Sequence, residues 1–522
     1  MKASTFITVV IGILALACST GATAPAEPIP NMDAPMEGKP SQLLGTRITP
    51  TQTATIEPIP TSPVIQPPTY RSQLMPTNTM VPTKVRINSP TQTPMTRPTR
   101  SRTSTKGAIP VEIIVPKLEF TQSTKGKSFS NGLESAFKAA VDEEFSAAPE
   151  KAGISVAVYA DGALWTYATG EAEEAVEMTT LTPLMVSSTS KTFLSALILK
   201  QIEDGLYALT DSLENLLSNH PEFQSFASDK INPEVTVQDL LTMSSGLPNF
   251  MDNVKGKIES LKRPVWTPFD TVNLVQSQFS EPGTFDYNDT NVVLLGLIAE
   301  SHSGKRLSDL YRQTFFEPLG LTALTLPEEG ISWHPGIFTD PGNQLTIPDV
   351  ARPYGDTSAW APGFGSIIKA APFDFGYFIG AVGRTRYACC GIVSNPANIA
   401  RWAYELYSPN GSAVSESVRD RLLNSFSADR VPVWSSVNSQ DQYGYLVAKG
   451  RFRLPDGTVV TAYGHPGGGG GYSSFMRYIP ELDLSISILA NSELKFRAES
   501  CQDKFHTCLA STIFDEYSKV HP

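Results

Sequence analysis

Residues 21–110 restrict what this chain can fold into more than any other stretch. They hold 17 prolines, 17 threonines and a single aromatic, Tyr70. So few large apolar groups cannot offset the entropy of ordering the segment, and proline-rich chain is extended and semi-rigid. A Pro/Thr-rich disordered linker is therefore expected over residues 19–125. A length of 522 residues alone would suggest roughly three domains. With the linker set aside, one large domain over 126–522 is expected. It carries all six tryptophans and is long enough to bury a substantial core.

Charge divides along the same boundary. Residues 21–110 carry nine Lys and Arg against Glu27, Asp33, Glu37 and Glu57, and Lys2 is also basic, so the net charge of −11 leaves −17 on the rest. An acidic globule repels phosphate backbones, and no nucleic-acid partner is expected. The basic cluster Arg97–Lys106 reads as solvated linker. At the N-terminus, Lys2 precedes a 12-residue apolar run from Phe6 to Ala17. About 20 residues are needed to span a bilayer, so residues 1–18 read as a signal peptide. Leu14-Ala15-Leu16-Ala17-Cys18 resembles a bacterial lipoprotein cleavage site, with Cys18 as the lipidated residue. The expected location is extracytoplasmic, secreted or lipid-anchored to the envelope, with no other membrane contact.

Cys389, Cys390, Cys501 and Cys508 remain, and four cysteines allow three pairings. Cys501 and Cys508 flank a six-residue loop and are the favoured disulfide in an exported protein. A bridge between the neighbours Cys389 and Cys390 would be strained, so two free, buried thiols are expected there. Neither CxxC nor HExxH occurs, and no metal or other cofactor is expected.

Hydrophobic periodicity supplies the coarse structure. Leu133, Phe137, Val141 and Phe145 recur every four residues as one helical stripe. Ile154–Tyr159 and Ala163–Ala168 read as strands joined by an Asp161-Gly162 turn. A helix starts near Ser188 and stops at Gly205. Three more strands are expected at Thr458–Gly464, Tyr472–Tyr478 and Leu484–Ala490, then a helix over about Lys504–Tyr517. Strands at both chain ends with helices between predict an α+β fold, with a helical lobe inserted at about 212–395.

Three short motifs carry chemistry. Ser188 and Lys191 share one face at a helix start, where a desolvated lysine amine would act as base to a serine nucleophile. Unpaired N–H groups at that end favour an oxyanion. Tyr287, in Tyr287-Asn288-Asp289, would relay a proton, and Asp289 would bind a lysine or a substrate amide. Gly464-His465-Pro466-Gly467 opens a run of glycines that lets a substrate backbone approach a strand.

In this order, with Val186–Phe193, Leu240-Leu241-Thr242-Met243-Ser244-Ser245-Gly246-Leu247-Pro248 and Tyr287–Asn291 around them, the motifs resemble the class C β-lactamase-related family of penicillin-recognising serine hydrolases. That family includes D-alanyl-D-alanine carboxypeptidases, D-aminopeptidases and serine esterases. The resemblance spans about 130–520. It implies a β-lactamase/DD-peptidase-like fold: a five-stranded antiparallel sheet flanked by helices, an all-helical lobe and a cleft between them. It implies Ser188 as acylated nucleophile, Lys191 as its base partner and Tyr287 as proton shuttle. His465 and Gly467 would lie on a sheet-edge strand that pairs with substrate, and the N–H groups of Ser188 and Gly468 would bind the oxyanion. Met243 stands where the family often has His, Asp289 where Asn is commoner, and His465 where true β-lactamases have lysine. A neutral imidazole attracts a substrate carboxylate less, which shifts weight toward peptidase or esterase.

The expected function is thus an exported serine hydrolase, monomeric, acting on a small ester, amide or D-amino-acid peptide. A true β-lactamase and a non-catalytic wall-peptide binder are the alternatives. An α/β-hydrolase is disfavoured because G-x-S-x-G is missing.

Overall fold

The structure, a computed structural model, describes residues 127–521 apart from 147–151, 221, 224–229, 254, 258–259, 261–265, 322–350, 352–385, 436–439, 455, 470 and 493–504. The expected signal peptide with Cys18, the expected linker, and Cys501 lie outside the described residues. The predicted stripe forms helix α1 (Asn131–Ser146), which buries Leu133, Phe137 and Val141. Strands β1 (Ile154–Ala160) and β2 (Ala163–Thr169) follow. Their turn puts Asp161 at φ 43° and Gly162 at φ 86°, the left-handed pair that matches strand twist in a tight hairpin. A small hairpin, β3 (Glu171–Glu173) with β4 (Val176–Glu177), comes next, then β5 (Leu184–Met185), which pairs far along the chain with β6 (Val393–Ser394).

A 3-10 turn, Ser187–Ser190, leads into helix α2 (Lys191–Glu203). Helix α3 (Asp289–Ser303) is buried on every side from Asp289 to Ala299, with the apolar run Val292–Ala299 at its centre, and is the axis of the helical region. The short helices Leu213–Leu217, Val237–Leu241 and Pro268–Val272 pack around it. Helix α4 (Pro396–Tyr407) returns to the sheet. The chain then builds β7 (Gln442–Tyr443), β8 (Ala448–Arg453), β9 (Val459–Gly469), β10 (Tyr472–Ile479) and β11 (Leu484–Ala490), and ends in helix α5 (Phe505–Ser518).

The main sheet is antiparallel throughout, in the order β2-β1-β11-β10-β9-β8-β7. It has seven strands, which corrects the expected five. The two extra strands lie at the β9 side. β8 reads Ala448-Lys449-Gly450-Arg451-Phe452-Arg453, with bases and a glycine masking its alternation, and β7 is only two residues long.

Period-two alternation divides the core into two layers. Ile154, Val156, Val158, Phe475, Ile486 and Ile488 face α1 and α5. Ala157, Met476, Tyr478 and Leu489 face the helical side. Small residues on that side let α4 lie close, and Ser485 Oγ donates to the Ala400 carbonyl at 2.7 Å. Cys389 and Cys390 are free, buried thiols, as the strain argument predicted. Cys508 is disulfide-bonded; its expected partner lies outside the described residues.

Candidate active site

The turn at Ser187–Ser190 is fastened to the sheet from several directions. Ser474 Oγ donates to the Val186 carbonyl at 2.6 Å, Thr189 Oγ1 donates to the His465 carbonyl at 2.9 Å, and the Ile392 N–H donates to Ser190 Oγ at 3.2 Å. Ser187 sits at φ 48°, a left-handed conformation that costs a serine about 1–3 kcal/mol and persists only when its surroundings impose it. Ser187, Thr189 and Ser190 are buried, and Ser188 alone in the turn keeps part of its surface open.

Lys191 begins α2 directly behind that serine and is wholly buried. Its Nζ donates to Ser188 Oγ at 2.9 Å and to the Cys389 carbonyl at 3.3 Å, and lies 2.8 Å from Asp289 Oδ1. Burial alone would push the ammonium pKa down, but the Asp289 carboxylate, reinforced by Cys390 and Tyr287, outweighs it and holds Lys191 well above its ordinary value. Lys191 therefore rests as an ammonium. The expectation that desolvation strips its proton fails, because desolvation comes together with a paired carboxylate.

Tyr287 and Asp289 are placed by the start of α3. Asn288 caps the helix, accepting from the N–H groups of Thr290 at 3.0 Å and Asn291 at 3.4 Å. The Leu240–Pro248 motif clamps this cap. Asn288 Nδ2 donates to the Leu247 carbonyl at 2.6 Å, Thr290 Oγ1 to the Pro248 carbonyl at 2.7 Å, and the Asp286 N–H to the Met243 carbonyl at 2.8 Å. That motif is thus the scaffold of the site. Tyr287 stands with its ring centroid 5.1 Å from Lys191 Nζ, inside a cage formed by Trp434, Tyr443 and His465 at centroid distances of 4.9, 5.7 and 5.9 Å. Its hydroxyl is buried and has no hydrogen-bond partner among the described residues. Burial, only partly opposed by Lys191, pushes the phenol pKa up, so it rests protonated.

Strand β9 carries the third motif. β8 pairs with it over Val459–Gly464 and β10 over Tyr463–Gly469, so beyond Gly464 it pairs only with β10 among the described strands. The expected substrate edge is therefore the His465–Gly469 half. His465 itself is buried. Its Nδ1 lies against the Pro466 carbonyl, which can only accept, so Nε2 accepts from Tyr443 Oη at 3.1 Å. Burial, then the positive charge of Lys191, drives its pKa well below the ordinary value. Both ring nitrogens are engaged, and His465 stands behind Tyr287 with no surface toward solvent. A Cβ on Gly467 would lie 2.3 Å from the Val186 carbonyl oxygen and 3.0 Å from Ser188 N, whereas one on Gly468 would meet nothing within 4 Å. Gly467 is needed for close approach, and Gly468 faces open space.

The structure thus gathers Ser188, Lys191, Tyr287 and Asp289, with His465, Gly467 and Gly468 on the adjacent strand. It adds two neighbours that sequence reasoning did not place here. Cys390 Sγ lies 3.8 Å from both Ser188 Oγ and Lys191 Nζ, and Cys389 supplies a carbonyl to Lys191. Nothing local to Cys389-Cys390 signals that contact, which joins residues about 200 positions apart.

A family model described as Beta-lactamase matches residues 139–502. Penicillin-binding protein 4 of Amycolatopsis lactamdurans is 25% identical over 349 residues, covering 65% of this chain and 80% of that protein. A putative penicillin-binding protein, PbpX, of Bacillus subtilis (strain 168) is 28% identical over 144 residues, 27% of this chain and 32% of that one. Among solved structures, D-amino acid amidase from Ochrobactrum anthropi SV3, complexed with D-phenylalanine, superposes with a TM-score of 0.56 at 20% identity, covering 74% of this chain and 99% of that one. These structural likenesses bear on the fold.

Proposed function

From the premise that the chain belongs to the beta-lactamase family of serine hydrolases, we propose that it cleaves a small ester, amide or D-amino-acid peptide through an acyl-Ser188 intermediate. The observation that carries this reading is the contact chain Ser188 Oγ–Lys191 Nζ–Asp289 Oδ1, with steps of 2.9 and 2.8 Å. An ammonium cannot take a proton without giving one up. As Ser188 Oγ attacks the substrate carbonyl, its proton passes to Lys191 while Lys191 passes one to Asp289. Lys191 is an ammonium before and after, and Asp289 holds the proton until the leaving group needs it. The unpartnered hydroxyl of Tyr287 is the donor that delivers a proton to that leaving group; it recovers one from Lys191, and Asp289 returns its held proton to Lys191, which restores the ammonium and the carboxylate. The N–H groups of Ser188 and Gly468 receive the oxyanion, where one such donor is typically worth about 10²–10³ in rate. Water then releases the acyl group.

Substrate class is read from His465. Buried and neutral, it offers no fixed cation to a substrate carboxylate, and this favours esters, amides and D-amino-acid peptides over β-lactams. The same reading places the chain outside the cytoplasm, tethered through Cys18, on the strength of Lys2 and the Phe6–Ala17 run; Cys18→Ser would release it from membranes.

Intact-mass labelling with a fluorophosphonate and a penicillin, beside turnover of a short-chain ester, a D-amino-acid amide and a cephalosporin, tests the proposal. The adduct is expected on Ser188, with labelling and turnover lost in a folded Ser188→Ala. An adduct on Ser187 or Ser190 would overturn the assignment. Permanent labelling without turnover would make the chain a binder, and a cephalosporin preference would make it a β-lactamase.

A further inference from the structure

Beside Ser188 lie two thiols that the proposed hydrolysis does not use. Cys389 and Cys390 are free thiols, both buried, with their Sγ atoms 2.8 Å apart in hydrogen-bond contact. One ligand atom each from Asp289, Cys389 and Cys390 lies within 4.8 Å of the others. We propose that these three residues form a binding site for a soft divalent d10 cation, zinc or cadmium, and that its occupation shuts off the hydrolase.

Ligand type selects the metal. Two thiolates and one carboxylate suit zinc-like ions and are a poor match for magnesium or calcium, which take oxygen ligands. Charge makes the buried site feasible. The Lys191 ammonium and the Asp289 carboxylate cancel as an ion pair. With the cation bound, two thiolates offset its two charges, their remaining protons having gone to solvent, and the buried group as a whole is neutral. No net charge is desolvated, which is the term that otherwise makes buried ions costly. Three protein ligands leave a fourth tetrahedral position. Cys390 Sγ is 3.8 Å from Ser188 Oγ, so an ion held by these ligands sits beside Ser188. A bound cation would draw Asp289 away from Lys191 and obstruct Ser188. The inhibitory consequence rests on the serine-hydrolase reading; the metal site itself does not.

The test uses the full chain, stripped with a chelator, and cadmium alone as probe. Thiolate-to-cadmium charge-transfer absorption should appear on titration, reach its plateau at a single site, and track loss of ester hydrolysis that a chelator restores. Cys389→Ser and Cys390→Ser should each weaken cadmium binding by more than the roughly 10–100-fold that changes around a metal's own ligands cost. Because a substitution beside Ser188 can disturb folding, the second measurement uses the unmutated protein. Saturating cadmium should protect Cys389 and Cys390 from alkylation, read by peptide mass. Equal cadmium affinity in all three proteins, absence of thiolate absorption, or alkylation unaffected by cadmium would each overturn the site. Thiolate absorption with protection but with undiminished hydrolysis would keep the site and overturn its inhibitory role. A protein that hydrolyses none of the substrates would still give the absorption and protection results, so the two readings fail separately.

Discussion

Replacing Asp289 with Asn removes the carboxylate 2.8 Å from Lys191 Nζ while preserving side-chain size. Burial, which lowers a lysine pKa, would then be opposed far less, and the pKa of Lys191 should fall from its raised value. In the unmutated protein the relay needs an ammonium and a carboxylate, and activity should be flat across neutral and mildly alkaline pH. In Asp289→Asn the base is the neutral amine, so kcat/KM should rise with pH through the lowered Lys191 pKa. A pH–rate profile of ester hydrolysis for both proteins checks this, and identical flat profiles would remove Asp289 from the relay. Tyr287 gives a separate expectation. Its hydroxyl makes no hydrogen bond among the described residues, so Tyr287→Phe forfeits none and should leave the melting temperature unchanged or higher. The same change should lower kcat by about 10²–10⁴, the usual worth of a general acid or base. A thermal melt beside steady-state kinetics separates the two effects. These roles were legible to different depths in the sequence. Ser188 and Lys191 lie within one turn, and Tyr287 and Asp289 within one helix start, so spacing alone brings each pair together. The charge state of Lys191 depends on a contact 98 positions away, and so does the proximity of Cys390 at 202; no local pattern encodes either.

Elements hold these residues through two close approaches. One is the clamp of the Leu240–Pro248 segment on the start of α3; the other is the contact of β9 with the Ser187–Ser190 turn. Gly467 decides the second. A methyl there would press on the Val186 carbonyl and on Ser474 Oγ, each 2.3 Å away, and the first of these is backbone and cannot rotate aside. Gly467→Ala should cost about 1–3 kcal/mol in overpacking and, by moving the strand off Ser188 N, lower acylation by about 10²–10³ through the oxyanion site. Gly468→Ala places its methyl in open space and should leave the melting temperature unchanged. Denaturant unfolding and the rate of fluorophosphonate labelling on both variants test the pair; equal behaviour would mean that the approach at Gly467 is not tight. Strand pattern made β1, β2, β9, β10 and β11 legible, because their buried positions alternate or run continuously. β8 escaped because its solvent side is Lys449, Arg451 and Arg453, and its buried side begins with Ala448 and Gly450.

At the scale of the molecule, the two ends of the domain close one face of the sheet together. Phe129 packs edge-on against Phe137 at 5.6 Å and against Tyr517 at 6.1 Å, so the segment leading into α1 meets the end of α5. Phe505, Leu509, Ile513 and Phe514 of α5 are fully buried. At roughly 1.5–3 kcal/mol each, their burial contributes about 6–12 kcal/mol, comparable to the ~5–15 kcal/mol that separates a folded domain from its unfolded chain. Removing residues 505–522 should therefore leave a chain that does not fold cooperatively. Residues 126–522 are expected to fold and hydrolyse ester like the full chain, because Phe129 is the first described residue of the core. A chain beginning at residue 131 lacks Phe129 and should lose about 1.5–3 kcal/mol, since the Tyr517 and Phe137 rings are then open to water. Thermal and denaturant melts of the three truncations decide the matter. If the chain starting at 126 melts below the full chain, residues before 126 contribute to the fold and the domain boundary is misplaced; if it melts as low as the one starting at 131, Phe129 contributes nothing.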